Sequence, residues 1–144
     1  MRLSVPHIVQ EKSWSCWHAS ARMLYGYRRK ACIHPLPRVY DANQGITAEA
    51  FIDLAADVGL QTLPPVNQSY SWRWLDDALC RYGPLWAAGQ WNGANHIIVI
   101  TGVDASGAVY VNDPARAAPA RRDIAWFNAR IDATVDVPLM WLPD

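Results

Sequence analysis

The chain of 144 residues has no excess of either charge. Thirteen Lys and Arg balance thirteen Asp and Glu, and the longest basic run is RRK at residues 28–30. Neither nucleic acid nor an anionic membrane is electrostatically favoured as a partner. Long apolar runs are also missing. The opening MRLSVPHIVQEKSW lacks the apolar core of a secretory signal, and no stretch approaches the roughly 18 residues of a spanning helix. Passage out of a producing cell would therefore need a dedicated machine or a removed leader. Disulfides are excluded as a framework, because the three cysteines, Cys16, Cys32 and Cys80, cannot all pair. The chain is expected to fold and work reduced, with a thiol to spare. There is no repeat, low-complexity tract or linker, so residues 1–144 are expected to form a single domain.

What is present fits a packed protein. Half the residues are hydrophobic and eight are tryptophan, which no disordered chain shows. Apolar residues at helical spacing run from Cys16 to about Arg29, with Ser13 or Ser15 as N-cap. Two prolines break the following segment. A second helix, capped by Thr47, is expected to end at Gly59, and a third to end at Gly83. From Pro84 the period changes to that of strands: PLWAAGQW, HIIVITGV and AVYVND, the last two joined by a DASG turn. A short helix near residues 124–131 and a closing strand in VPLMWL complete the reading. The fold class is α+β, a helical half followed by an antiparallel sheet, with a cleft expected between them.

Chemistry can be placed on this frame. Cys16 falls at a helix N-terminus, where unpaired N–H groups and the helix dipole favour an anion and hence a thiolate. A cysteine nucleophile needs an imidazole to pair with the sulfur and later protonate the leaving group. His18 lies two positions from Cys16 and faces away, and His7 and His34 lie near prolines in loops. His96 opens a buried strand and is the candidate. A third residue must accept from the other ring nitrogen, and Asn112 and Asp113 both end the next strand. Face alternation leaves that choice open. A two- or four-residue loop in DASG puts Asp113 on the face of His96, while a three-residue loop with a Gly bulge puts Asn112 there. The side-chain amide of Gln10, with the Cys16 N–H, is suited to donate to the oxyanion.

Taken singly, each of these residues has an ordinary structural reading: a core thiol, a satisfied strand histidine, a surface amide. The catalytic reading rests on their order and matched roles. Cys32, in a Pro-bounded segment, and Cys80, on the apolar face of the third helix, keep the structural reading. Trp14, Trp17 and Trp91 fit either a cleft lining or packing. A rival from another class is a zinc-binding module built from Cys16, His18, Cys32 and His34. Its Cys-x-His pairs lack the two to four residues that usually separate paired cysteine ligands.

Together, QEKSWSCW, NHIIVITGVD and VYVNDP resemble the papain-like cysteine proteases, in their compact bacterial branches. Those branches include AvrRpt2-type effectors injected into host cells and the leader-peptide-cleaving domains of bacteriocin transporters. The resemblance runs from about Val5 to Pro114. It departs in the separation of Cys16 from His96, 80 residues (96 minus 16), much shorter than in plant and lysosomal enzymes. It departs again in the Trp-Ser before the cysteine, where Gly-Ser is usual. The resemblance implies a papain-like fold and cofactor-free cleavage of a protein substrate, with Cys16 as nucleophile, His96 as acid and base and Gln10 in the oxyanion hole. It favours Asp113 as the orienting residue, as does the stronger stabilisation of an imidazolium by a carboxylate. The same thioester chemistry would equally serve deamidation or acyl transfer. An isolated domain of this kind resembles an effector or toxin module, delivered by a secretion system into a reducing cytoplasm and restrained in its producer by a cognate immunity protein.

Overall fold

The structure, a computed structural model, describes residues 1–31, 47–64, 66, 68–132 and 137–144. Cys32 and His34 lie outside the described residues, so the four-ligand zinc set does too. The elements run α1 (Cys16–Tyr27), α2 (Ala48–Asp57), β1 (Gln61–Thr62), α3 (Trp72–Tyr82), β2 (Leu85–Gly89), β3 (His96–Val103), β4 (Ala108–Asn112), β5 (Ala120–Asp123), α4 (Ile124–Arg130) and β6 (Leu139–Trp141). This is the α+β order read from the periodicity. α1 stops two residues before Arg29, which adopts a left-handed backbone (φ 57°) and closes the helix as glycine usually does.

One six-stranded sheet, ordered β1-β6-β2-β3-β4-β5, has antiparallel pairing throughout. Its strand residues alternate between two cores, as a pleated strand buried on both faces requires. Trp86, Ala88, Ile97, Val99 and Met140 pack against α1 and α2. Leu85, Ala87, Ile98, Ile100, Val109, Val111 and Leu139 pack against α3 and α4. The helices thus cover both faces of the sheet instead of forming one half beside it, because α3 crosses to the face opposite α1. The short strands β1 and β5, too polar and too brief to show an apolar period, form the two sheet edges. Cys80 is exposed on α3, with its thiol 3.5 Å from the Met1 sulfur, and is not on that helix's apolar face.

The N-terminal segment continues the line of β2. Leu3 N–H donates to the Thr101 carbonyl (2.8 Å), Val103 N–H donates to the Met1 carbonyl (2.8 Å), and Arg2 bridges Gly102. A Cβ at Gly102 would lie 2.9 Å from the Met1 carbonyl oxygen, so only glycine admits this approach. The chain is thereby led past the open end of β4 toward Gln10 and α1.

Candidate active site

Four elements converge on the site: the loop before α1, the start of α1, the start of β3 and the turn after β4. α1 is held against the sheet by two hydrogen bonds near its beginning. Trp86 Nε1 donates to the Trp17 carbonyl (3.2 Å), and Ser20 Oγ donates to the Ile97 carbonyl (3.4 Å), one residue from His96. These contacts set the helix's rotation and so the direction in which Cys16 leaves it. Cys16 is buried, at 4 % exposure.

The N-terminus of α1 has no side-chain cap and no acidic residue in its first turn. Ser15 occupies the N-cap position but turns its hydroxyl backward, donating to the Lys12 carbonyl and accepting from the Lys12 N–H, both at 3.0 Å. The helix end therefore keeps its positive character for an anion at Cys16 instead of spending it on a cap.

His96 opens β3, opposite Gly89 in β2. A side chain at Gly89 would strike the Trp91 ring at 2.5 Å and the Arg130 carbonyl at 2.6 Å, so the strand is bare beside the histidine. The imidazole Nε2 lies 2.6 Å from Asp113 Oδ1. Nε2 is thereby engaged, and Cys16 is the ring's other interacting neighbour. Burial alone would push the imidazolium down. The hydrogen bonds to Asp113 and Cys16 and the charges on both outweigh it, raising His96 to about 9. Asp113 is subject to the opposite balance. Its burial favours the neutral acid, but the His96 contact, the Ala115 N–H and nearby Arg116 hold its carboxyl below the usual range.

Asp113 owes its position to the local sequence DPAR. Pro114 starts a tight turn, the Arg116 N–H donates to the Asp113 carbonyl (3.0 Å), and the Ala115 N–H donates to Asp113 Oδ1 (2.9 Å). The carboxylate is thus fixed by its own backbone before it meets the histidine. Asn112 is 2 % exposed and turns to the N-terminal segment, where its Nδ2 donates to the Val5 carbonyl (3.3 Å).

The choice between these neighbours was made by two irregularities that cancel. Asp104 N–H donates to the Ala108 carbonyl across a three-residue loop, with Gly107 at φ 87°, the form that by itself would align Asn112 with His96. A bulge then intervenes in β3. The register passes from Gly102 opposite Tyr110 to Ile100 opposite Val111, leaving Thr101 without a partner. That extra residue shifts the faces by one, and Asp113 comes to share the face of His96.

Gln10 is brought to the site but not to its centre. Its backbone N–H donates to the Pro114 carbonyl (2.8 Å), beside Asp113. Its side-chain Nε2 donates to the carbonyls of Lys12 and Ser13, each at 2.9 Å, and its Oε1 is buried without a partner among the described residues. In this arrangement the amide shapes the loop leading to Cys16, and both of its hydrogens are engaged. His7 was set aside in the sequence as a loop residue. Its Nε2 lies 2.7 Å from the Arg116 carbonyl, a second tie between the N-terminal segment and the Asp113 turn. Nothing in the local pattern around Pro6-His7 announces that contact, which spans 109 residues. Trp17 and Trp91 are packing residues, 1 % and 6 % exposed, while Trp14 is 48 % exposed on the loop before the cysteine. His18 is buried, with its ring edge-to-face on Trp17. Among the described residues no group of three or more His, Cys, Asp or Glu is placed to hold a metal ion, and no helix is long and apolar enough to cross a membrane.

A helix opening on a cysteine, packed against an antiparallel sheet that opens on a histidine, is the frame expected of a papain-like cysteine peptidase. The sequence pattern of the family described as "Papain-like cysteine protease AvrRpt2" matches residues 1–132, and the chain belongs to that family of cysteine proteases. Among solved structures it is similar to a double glycine motif protease from an AMS/PCAT transporter, crystallised in complex with the leader peptide. That likeness has a TM-score of 0.60 at 21 % identity, covering 98 % of this chain and 91 % of the other. No curated protein sequence matches the chain.

Proposed function

We propose that the chain, acting as one domain, hydrolyses peptide bonds of a protein substrate through Cys16, His96 and Asp113. The observation that carries this reading is one buried imidazole held 2.6 Å from Asp113 Oδ1 through Nε2, with Cys16 as its other interacting neighbour. The Cys16 thiolate attacks the carbonyl carbon, and the resulting oxyanion is met by the N–H groups at the uncapped start of α1. The C–N bond breaks as the His96 imidazolium gives its proton to the departing amine, leaving a thioester on Cys16. His96, now neutral, takes a proton from water, whose oxygen attacks the thioester. The C–S bond breaks, the acid product leaves, and the proton stays on His96 beside a regenerated thiolate. Asp113 stabilises the imidazolium through both steps.

Gln10 enters as a second oxyanion donor. Because its hydrogens rest on the Lys12 and Ser13 carbonyls, this role requires one of them to swing to the substrate oxygen. The leader peptide held by the structurally similar protease supports an extended peptide segment as substrate. The same proposal extends to action in a cell other than the producer, with a cognate inhibitor protecting the producer.

The test is a comparison of wild type with Cys16→Ala on a cell lysate, read by mass spectrometry. New peptide N-termini that vanish with Cys16→Ala are expected. A gain of about one mass unit at glutamine without chain cleavage would instead make the same triad a deamidase.

A further inference from the structure

The arginines of this chain are unevenly satisfied. Arg22 pairs with Glu11 (3.3 Å), Arg28 with Asp144 (2.8 Å) and Arg81 with Asp77 (3.2 Å). Along the β5 edge the pattern stops. Arg121 and Arg122 on β5 are exposed and have no carboxylate partner among the described residues, and Arg130 on α4 has none either. Arg122 and Arg130 instead lie over one indole, with their guanidinium carbons 5.4 and 5.5 Å from the centre of the Trp126 ring. Arg2, Arg29, Arg73 and Arg116 also lack a carboxylate partner among the described residues, so what sets this edge apart is that three such cations lie together around Trp126.

The nearby carboxylates do not neutralise them, being turned onto their own backbone. Asp123 accepts from the Trp126 N–H (2.8 Å) as the cap of α4. Asp104 accepts from Ser106, from the Ala108 N–H and from the Tyr110 hydroxyl, contacts that hold its carboxyl near 2. Between them lies an open recess of about 340 Å³ lined by Ser106, Ala108, Arg121, Arg122, Asp123 and Trp126. That volume is at the lower bound of ligand sites, enough for one or two side chains of a longer partner. Charged side chains on an edge strand also guard against aggregation. Guarding alone does not account for two guanidinium groups stacked on one tryptophan above a recess.

We propose that the β5 edge is a docking site for an extended acidic segment of the protein substrate. β5 is an outer strand of the sheet, and among the described residues no further strand pairs with its outward backbone groups, the arrangement that takes one more strand. Acidic side chains of that strand meet Arg121, Arg122 and Arg130, whose planar groups suit carboxylates. The edge leads to the candidate active site. Ala120 pairs with Val111, two residues before Asp113, and Arg116 stands on the turn between. A segment lying on β5 therefore passes close to the strand end that carries Asp113. The inference deepens the peptidase reading and rests on it.

Binding is measured on the full chain carrying Cys16→Ala, by fluorescence anisotropy, with a labelled peptide of about ten residues in which Glu pairs alternate with Thr pairs, so that carboxylates lie on both faces of the added strand. Saturable binding is expected, weakened roughly tenfold or more by Arg121→Glu with Arg122→Glu and strongly reduced by high salt. Arg130→Gln, a milder change, should weaken it severalfold. Absent binding, or equal binding by the charge-reversed protein, overturns the proposal. So does tighter binding of an oligothymidylate of equal charge or of phosphatidylserine vesicles, either of which would make the edge a phosphate-binding surface. On a short uncharged fluorogenic peptide, the charge-reversed enzyme with Cys16 intact should cleave at the wild-type rate. If wild type cleaves no peptide at all, the peptidase reading fails, while the anisotropy still decides whether the edge takes acidic peptide.

Discussion

Among the described residues three helices begin with a side chain closing their first turn, and one does not. Thr47 caps α2, Ser71 caps α3 and Asp123 caps α4, each accepting from the N–H three residues on. α1 has Ser15 in the same place, with its hydroxyl bonded backward to Lys12. A cap is worth about 1 kcal/mol, so its absence from a buried helix end is a local loss of stability. The three capped helices only have to fold. α1 instead leaves its first N–H groups and its dipole available beside Cys16, where the proposed mechanism places an anion.

The sharpest way to break this comparison is at the two reacting groups. Cys16→Ala or His96→Ala should abolish cleavage while the circular dichroism spectrum stays near wild type. Cys80→Ser, on a capped helix and exposed, should leave cleavage intact. If Cys80→Ser is inactive while Cys16→Ala still cuts, the nucleophile has been misplaced.

The next largest effect is expected at the strand end. Asp113→Ala should lower kcat roughly a thousandfold. It should also move the alkaline limb of kcat/KM, expected near pH 9 in wild type, toward lower pH, because the carboxylate that helps hold His96 at about 9 is gone. Asn112→Ala should instead cost about 1 kcal/mol of stability through its lost bond to Val5 and keep the wild-type pH profile. An unmoved limb in Asp113→Ala would remove that residue from the site. The same ion pair is linked to folding. His96 is raised from 6.5 to about 9, so its stabilising contribution is complete below pH 6.5 and disappears as the pH rises through 9. The Asp113 contribution, from a lowered carboxyl, is present above its ordinary 3.8 and is lost on acidification. The stability difference between wild type and His96→Ala should therefore shrink between pH 6.5 and 9.

Gln10→Ala is expected to lower kcat by about a hundredfold while Cys16 is still alkylated by iodoacetamide. A near-normal kcat with a lower melting temperature would assign the amide to the Lys12–Ser13 loop alone. The smallest effect tests the caps directly. Ser71→Ala should cost about 1 kcal/mol with kcat unchanged, whereas Ser15→Asp, by putting a carboxylate at the start of α1, should slow alkylation of Cys16 severalfold. Equal effects on alkylation from both variants would end the distinction between the helix ends.

The helices and central strands were legible in the sequence because their signals are local. Thr47, Ser71 and Gly83 stand where a cap and a terminator belong, and HIIVITGV admits no other reading than a buried strand. The positions of Cys16 and His96, the proposed nucleophile and acid-base, were legible for the same reason, each opening an element. Contacts made across the chain were not legible. The exposed edges β1 and β5 carry no apolar period, the passage of α3 to the other face leaves no mark on its own pattern, and the Gln10 amide's choice of the Lys12 and Ser13 carbonyls depends on a loop fold that no motif specifies.

The strand end separates the two kinds of information most cleanly. The sequence alone determined that an acid and an amide, Asp113 and Asn112, would lie next to each other at the end of the strand after His96. It could not determine which of them faces the imidazole, because side chains alternate with a period of two and one extra residue anywhere in the hairpin reverses the answer. The three-residue loop at Ala105–Gly107 pointed to Asn112. The bulge at Thr101 reversed it, beside the N-terminal segment that pairs with β3 across Gly102. That strip of chain lies a hundred residues away in sequence, so the face presented to His96 was decided only when the tertiary structure closed.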